Sequence, residues 1–377
     1  MARVKYGLIG SGMMGREHIS NMSLLNDIDL ASISDACQDS LIKSSGKATD
    51  LFGKSPNCYN DYKVMLSTEK LDAVIIASPN HHHFEQICFI FENYPDLAVL
   101  LEKPAVTRLD DCTKLLVAQE KHKAPVWVAM EYRYIPVAAE LIARLRDGAV
   151  GKLQMFSMKE HRFPFLSKVG DWNRFSDQTG GTLVEKCCHF FDLMRHVIGR
   201  EATQVYCSGG VDVNHLDEVY NGRKPDILDN AFVVVEFEGG IRAMLELCMF
   251  AEGSYFQEEL TVIGDKAKLE AKVPAVQRFW PGALDAPDQA PKPELVYSPR
   301  DPKGPITEVI EADQNILAAG DHQGSTFYQH QKFLACVKGE GDVEVTLRDG
   351  LSAVLIGLAA EQSAKKHQPI IIEKLGE

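Results

Sequence analysis

Over the first 130 residues the apolar positions fall into short continuous runs, at 4–9, 30–34, 71–78, 97–101 and 126–130. Runs of this length, apolar on both faces, fit strands buried in a parallel sheet, because such strands are covered from both sides. The stretches between them carry helical spacing: a polar one from 36 to about 52, then 59–67, a helix opening at His81 with Asn80 as its cap, and 110–122. Strands alternating with helices of about a dozen residues predict a doubly wound parallel sheet.

After about residue 135 the pattern changes. A helix is still expected over 138–146, but 154–162, 204–207, 231–237, 242–248, 259–263 and 267–273 read as strands, several of them alternating. Glu238-Gly239-Gly240 and Gly264-Asp265-Lys266 are short enough to close hairpins. The expectation is a mostly antiparallel, open sheet with one face to cover. Helices over 183–198, 327–337 and 348–366 and a last strand over 369–372 complete it, and the proline-rich stretch 274–305 reads as a long surface excursion. At 377 residues the chain suits two domains. They are expected at 1–125, for dinucleotide binding, and at 126–377, for substrate and oligomerisation.

The first strand runs directly into Gly10-Ser11-Gly12-Met13-Met14-Gly15 and a helix, and the next strand ends at Asp35. Each glycine has a physical task in the strand, turn and helix of a Rossmann dinucleotide-binding unit: the tight turn at Gly10, close approach of a pyrophosphate at Gly12, and helix packing at Gly15. An acidic residue about 20 positions on accepts hydrogen bonds from both ribose hydroxyls and repels a 2′-phosphate. Ala36-Cys37-Gln38-Asp39 supply no cation, so NAD is expected rather than NADP. Asn80 and Lys103 also stand at strand ends, where such sheets bind ligands.

A net charge of −13 with no basic cluster argues against nucleic acid and anionic membranes as partners. The nine cysteines contain no CxxC pair and imply reduced thiols. No apolar run approaches the length of a membrane span, the first strand begins a few residues after Met1, and a cytoplasmic location is expected.

Gly180-Gly181 precedes the helix expected over 183–198. At 100° per residue, Glu185, His189, Asp192 and His196 form a narrow polar stripe opposite a broad apolar face. Such a stripe is expected to line a polar cavity, or else Glu185 and Asp192 pair with His189. No further ligand is evident beside His189, Asp192 and His196, so no metal is expected.

At this point the sequence resembles the Gfo/Idh/MocA family of oxidoreductases over nearly its whole length. The resemblance rests on Gly10–Gly15, Ala77-Ser78-Pro79-Asn80 with His83, Glu102-Lys103-Pro104, Tyr132-Arg133-Tyr134 with Pro136, Gly180-Gly181 followed by His189 and Asp192, and Asp349-Gly350-Leu351 with Ala359-Ala360. It implies a Rossmann domain followed by an α/β domain whose large, mostly antiparallel open sheet commonly forms a dimer interface. It places Gly10, Gly12, Met13, Met14, Gly15, Asp35, Ser78, Pro79, Asn80, His83, Glu102 and Lys103 at an NAD site. Lys103 matches the lysine that polarises the reacting oxygen, and His189 the histidine that exchanges the proton. Glu185 stands where the family usually has an aspartate, and Lys186 where it is often apolar.

The resulting expectation is an NAD-dependent dehydrogenase for a secondary hydroxyl of a sugar, sugar derivative or cyclitol. Lys103, His189 and Glu185 are its catalytic candidates. Substrate contacts are expected from Lys103, Arg133, Arg162, Trp172, Lys186 and His189. The rivals are a redox-neutral lyase or glycosidase working through transient oxidation, and a regulator that responds to sugar or NAD without catalysis. A homodimer or homotetramer through the second sheet is expected.

Overall fold

The computed structural model describes residues 3–276, 290–301 and 303–376. Its first half runs β1 (Val4–Ile9), α1 (Met13–Met22), β2 (Ile28–Ser34), α2 (Gln38–Phe52), β3 (Asn57–Tyr59), α3 (Tyr62–Thr68), β4 (Ala73–Ile76), α4 (His83–Asn93), β5 (Ala98–Leu101), α5 (Leu109–Gln119) and β6 (Val126–Val128). These six strands pair in parallel in the order β3-β2-β1-β4-β5-β6. The order reverses between β1 and β4, so the loops leaving these two strands diverge and leave a crevice at the carboxyl edge. The runs read as buried strands are buried: every residue of β4, β5 and β6 is shielded from solvent. An expected domain break at 125/126 would cut off β6, which the first sheet retains through its pairing with β5.

The second half contains α6 (Pro136–Arg146), β7 (Leu153–His161), α7 (Ser176–Thr179), α8 (Thr182–Glu185), α9 (Cys188–Ile198), β8 (Ala202–Gly210), β9 (Asn230–Phe237), β10 (Arg242–Cys248), β11 (Phe256–Gly264), β12 (Ala267–Pro274), β13 (Glu294–Pro299), β14 (Ile306–Val309), α10 (Gln314–Leu317), α11 (Ser325–Val337), α12 (Leu347–Lys366) and β15 (Ile370–Ile371). Nine strands form one open sheet, β14-β13-β12-β11-β7-β10-β9-β8-β15. It is antiparallel except at β10–β7. α12, opened by a capping box in which Thr346 and Asp349 satisfy each other's backbone amides, packs on α9 and β8 and also reaches β6 and α5. That helix ties the two sheets into one body.

Three local expectations change. The proline-rich stretch carries β13, which pairs with β12 and β14 because its apolar Leu295 and Val296 cover the sheet, while 277–289 lie outside the described residues. The α-helix expected at His81 opens at His83, after a single 3₁₀ turn over Asn80–His82, and Asn80 makes no side-chain cap. The helix expected over 183–198 is broken after Glu185: the Cys187 amide reaches back five residues to the Thr182 carbonyl at 3.3 Å, which offsets α8 from α9. Among the described residues no helix is long and apolar enough to cross a membrane.

Candidate functional site

The crevice at the edge of the first sheet is a cleft of about 620 Å³. Gly10 turns the chain out of β1 at φ +86°, and a Cβ there would stand 2.4 Å from the Ser78 amide nitrogen, so only glycine fits. A Cβ on Gly15 would meet the Gly10 carbonyl oxygen at 2.4 Å, which is why α1 can begin against the loop. Gly12 faces open space and lines the cleft with Met13 and Met14, while Gly15 packs behind.

Asp35 lines the opposite wall. Its Oδ2 accepts from the Ser11 amide at 2.6 Å and hydroxyl at 2.9 Å, and its Oδ1 from the Cys37 amide at 2.8 Å. Arg16 lines the same cleft and donates to the Ser11 carbonyl at 3.1 Å. This cation sits on α1, before Asp35 in the chain, so a search of the residues after the strand misses it.

The ends of β4 and β5 form the floor. Pro79 and Asn80 line it, and the buried Asn80 Nδ2 has no protein partner. Ser78 Oγ donates to Gln86 Oε1 at 2.6 Å. His83, expected to touch cofactor, is buried with its ring nitrogens against the Pro104 and Ser78 carbonyls at 2.8 and 3.0 Å, so it braces these two loops. Glu102 is likewise inward: Oε1 meets His18 Nε2 at 2.9 Å, His18 meets His330 at 2.9 Å, and Oε2 accepts the Lys103 amide at 3.0 Å. Lys103 lines the cleft and its Nζ donates to the Glu185 carbonyl at 3.0 Å. That contact sets the ammonium at the end of α8, beside the start of α9.

His189 stands on the first turn of α9, buried, and its Nδ1 has no protein partner. Neither Glu185 nor Asp192 hydrogen-bonds it among the described residues. Its ring instead lies flat on Tyr132, with centroids 4.1 Å apart and planes 7° from parallel. Burial and then the positive charge of Lys103 hold the imidazole well below its ordinary pKa, so it is neutral. After burial itself, the Lys103 ammonium is the largest electrostatic influence on that ring.

The polar stripe does not stay together. Glu185 lines the cleft, where Oε1 meets Lys168 Nζ at 3.3 Å and the buried Oε2 has no partner. Asp192 turns to the other side and takes the Arg133 Nε and Nη2 at 2.6 and 2.5 Å. Arg133 Nη1 goes to the Glu344 carbonyl at 2.9 Å, so the whole guanidinium is spent on the interior and Arg133 is withdrawn from the expected substrate contacts. His196 meets Arg146 at 2.7 Å. The offset at Cys187 takes Glu185 off the helix that carries the other three, while along α9 itself Asp192 and His196 are claimed by Arg133 and Arg146.

Lys186 is also internal. Its Nζ meets Glu160 Oε1 at 2.8 Å and donates to the Tyr132 hydroxyl, rather than pairing with Glu185 or reaching open space. Arg162 shares Glu160 at 3.2 Å, covers the Phe163 ring at 4.3 Å and stays 13% exposed. Trp172 lines the cleft under the Lys168 ammonium at 4.5 Å, with His81 at its edge. His322, which no sequence pattern marks, sits between Glu17 at 2.6 Å and Glu131 at 3.8 Å. Although burial pulls it down, these carboxylates raise its pKa to about 9.

Two profiles of the oxidoreductase family match the sequence: its NAD-binding Rossmann fold over residues 4–130, and its C-terminal alpha/beta domain over 142–372. The chain belongs to the Gfo/Idh/MocA oxidoreductase family. It is 25% identical over 367 residues to the uncharacterized oxidoreductase YrbE of Bacillus subtilis, covering 97% of this chain and 96% of that one. With myo-inositol 2-dehydrogenase of Thermotoga maritima it shares 23% identity over 375 residues, 99% of each chain. The structure of levoglucosan dehydrogenase in complex with NADH and L-sorbose aligns at TM-score 0.79 and 18% identity over 100% of both chains, a likeness of fold.

NAD fits the first half of this Gfo/Idh/MocA oxidoreductase. The glycine loop opens directly onto the cleft at Gly12, an orphaned Asn80 amide faces it, and the Asp35 carboxylate stands where a 2′-phosphate would be repelled.

Proposed function

We propose that the chain is an NAD-dependent dehydrogenase acting on a secondary hydroxyl of a sugar, sugar derivative or cyclitol, with Lys103 and His189 as its proton-transfer and oxyanion-stabilising pair. The observation that carries this reading is a neutral, buried imidazole next to a cleft-lining ammonium at the end of the NAD cleft. The chemistry that NAD supplies when bound is two-electron hydride exchange with the carbinol carbon. His189 takes the hydroxyl proton in the oxidising direction and returns it in the reducing one, which requires the uncharged ring it has near neutral pH. Lys103 stabilises the alkoxide charge as it develops. Glu185 offers its free Oε2 to the same space as a hydrogen-bond acceptor, and Arg162 and Trp172 remain the contacts for the substrate ring. The myo-inositol and levoglucosan enzymes above support the substrate class.

The test is nicotinamide absorbance after mixing the protein with NAD and a panel of cyclitols, aldoses, glycosides and sugar acids. A steady rise with one class is expected. Tight NADH binding with only a transient signal, or none, would replace this reading with the redox-neutral enzyme or the regulator. For association we assign the open face of the nine-stranded sheet, where Tyr206, Phe232 and Val234 are exposed and Tyr206 lies opposite Val234. Light scattering should give a dimer or tetramer, and a mass near 41.9 kDa at micromolar concentration would refute it.

A further inference from the structure

The Tyr132 ring is fixed from every side. One face stacks on His189 at 4.1 Å, and Phe190 meets it edge-on at 5.7 Å and 86°. Its hydroxyl receives the Lys186 Nζ proton and donates to Glu258 Oε1 at 3.1 Å. Glu258 Oε1 also accepts from Gln257 at 2.6 Å, and Lys186 is held in turn by Glu160. Glu160 and Glu258 come from β7 and β11, neighbouring strands on which they are paired residues. The sheet therefore supplies two carboxylates side by side, and the bulge between α8 and α9 supplies the ammonium between them. All four side chains are buried.

This arrangement bears on a gap in the site. A histidine that exchanges protons is ordinarily oriented by an acceptor on its second nitrogen. Here Nδ1 has none, and the carboxylate four residues earlier is turned to Lys168. The broad face of the ring, by contrast, is held by a second ring that cannot itself move without breaking two buried hydrogen bonds. We propose that Tyr132 is the positioning residue of His189, held in place by the buried Glu160–Lys186–Tyr132–Glu258 chain in the role that a carboxylate partner would otherwise fill. The inference rests on His189 being the group that exchanges the proton.

The phenol itself is no rival base. Burial, then the Glu258 and Glu160 charges, push its pKa well above the ordinary value. The charged groups facing His189 are Lys103 after β5, Lys186 before α9, Arg162 after β7 and His322 before α11. Those facing Tyr132 are Glu160, Glu258, Arg162, Glu131 and Lys186.

The experiment compares Tyr132→Phe, Tyr132→Leu and His189→Ala in the full chain, with kcat, KM, the pH profile of kcat/KM and an NADH titration that counts competent sites. Loss of the stack in Tyr132→Leu should lower kcat per competent site by about 100-fold, the scale expected for roughly 1 Å of misplacement. KM should move by less than about threefold, and the acid limb should rise towards the ordinary histidine value as water reaches the ring. Tyr132→Phe keeps the stack and loses the anchor, so its kcat should fall by about tenfold, between the parent and Tyr132→Leu. Wild-type kcat and an unmoved acid limb in both tyrosine variants, with His189→Ala inactive, overturn the proposal and leave the base assignment standing. Full turnover in His189→Ala overturns both. If the leucine variant does not fold, Tyr132→Phe decides alone, and wild-type values there overturn the anchored-ring role.

Discussion

Replacing Arg133 by methionine separates a residue that holds the fold from one that holds a substrate. Asp192 is fully buried and takes both of its short hydrogen bonds from Arg133. Arg133→Met therefore leaves an uncompensated carboxylate in the interior, with Arg195 the other cation acting on it. Breaking such a pair from one side costs about 3–5 kcal/mol. A second route to the magnitude agrees. The carboxyl can escape by binding a proton, and the gap between pH 7 and its ordinary value of 3.8 limits that escape to about 4 kcal/mol. For 377 residues this corresponds to a fall in Tm of about 5 °C. The sign with pH follows: in the variant the folded aspartate titrates above the unfolded one, so the folded chain binds the extra proton. The deficit should shrink as pH falls, to less than about 2 kcal/mol near pH 5. The assay is equilibrium urea unfolding at both pH values for the parent, Arg133→Met, Asp192→Asn and the double variant, with substrate KM measured alongside. The double variant should lose less than the sum of the singles, because the two share one interaction. A loss below about 1 kcal/mol together with a KM raised more than about tenfold would refute this account and return Arg133 to the substrate.

Lys103→Ala and His189→Ala should each lower kcat by at least about 100-fold, the usual range for a proton-transfer or oxyanion-stabilising group, with NADH affinity changed less than threefold by fluorescence titration; turnover near the parent's in either would remove that residue from the pair. Asp35→Ser should relax the preference for NAD over NADP by about tenfold or more in a competition titration, since a carboxylate no longer opposes the 2′-phosphate and Arg16 stays in the cleft; an unchanged ratio would refute Asp35 as the discriminating group. The His322–Glu17 contact should contribute stability fully below about pH 6.5, where a free histidine is charged, and lose it as pH rises through about 9. Glu17→Gln should flatten that part of a Tm-against-pH curve, and a curve still falling through this window would contradict it.

The alternation of continuous apolar runs with helical stretches was enough to read the parallel sheet, because burial on both faces constrains every residue of a strand at once. The glycine loop, Asp35 and the strand-end positions of Asn80 and Lys103 were legible for a related reason: backbone conformation and strand ends are local properties of the chain. His83 and Glu102 line the cleft as expected, but their hydrogen bonds to Pro104, Ser78 and His18 were not legible, since a strand end fixes where a residue stands and not which way its side chain turns. Only the tertiary structure decided the pairing of Arg133 with Asp192, the stack of Tyr132 on His189, and the descent of Lys186 to Glu160. These partners lie 59, 57 and 26 positions apart, and no periodicity links them. The stripe through Glu185, His189, Asp192 and His196 failed in two ways: the five-residue hydrogen bond at Cys187 takes Glu185 off the axis that helical projection assumes, and along the unbroken α9 the arginines that claim Asp192 and His196 come from positions 133 and 146, which no projection links to them. Glu160 read as an ordinary polar position on an expected strand, and Glu258 stood just outside the strand expected over 259–263. The packing of α9 on β7, with Tyr132 and Lys186 laid against the pair, is what turns those positions into two buried carboxylates and gives Lys186 a reason to lie between them.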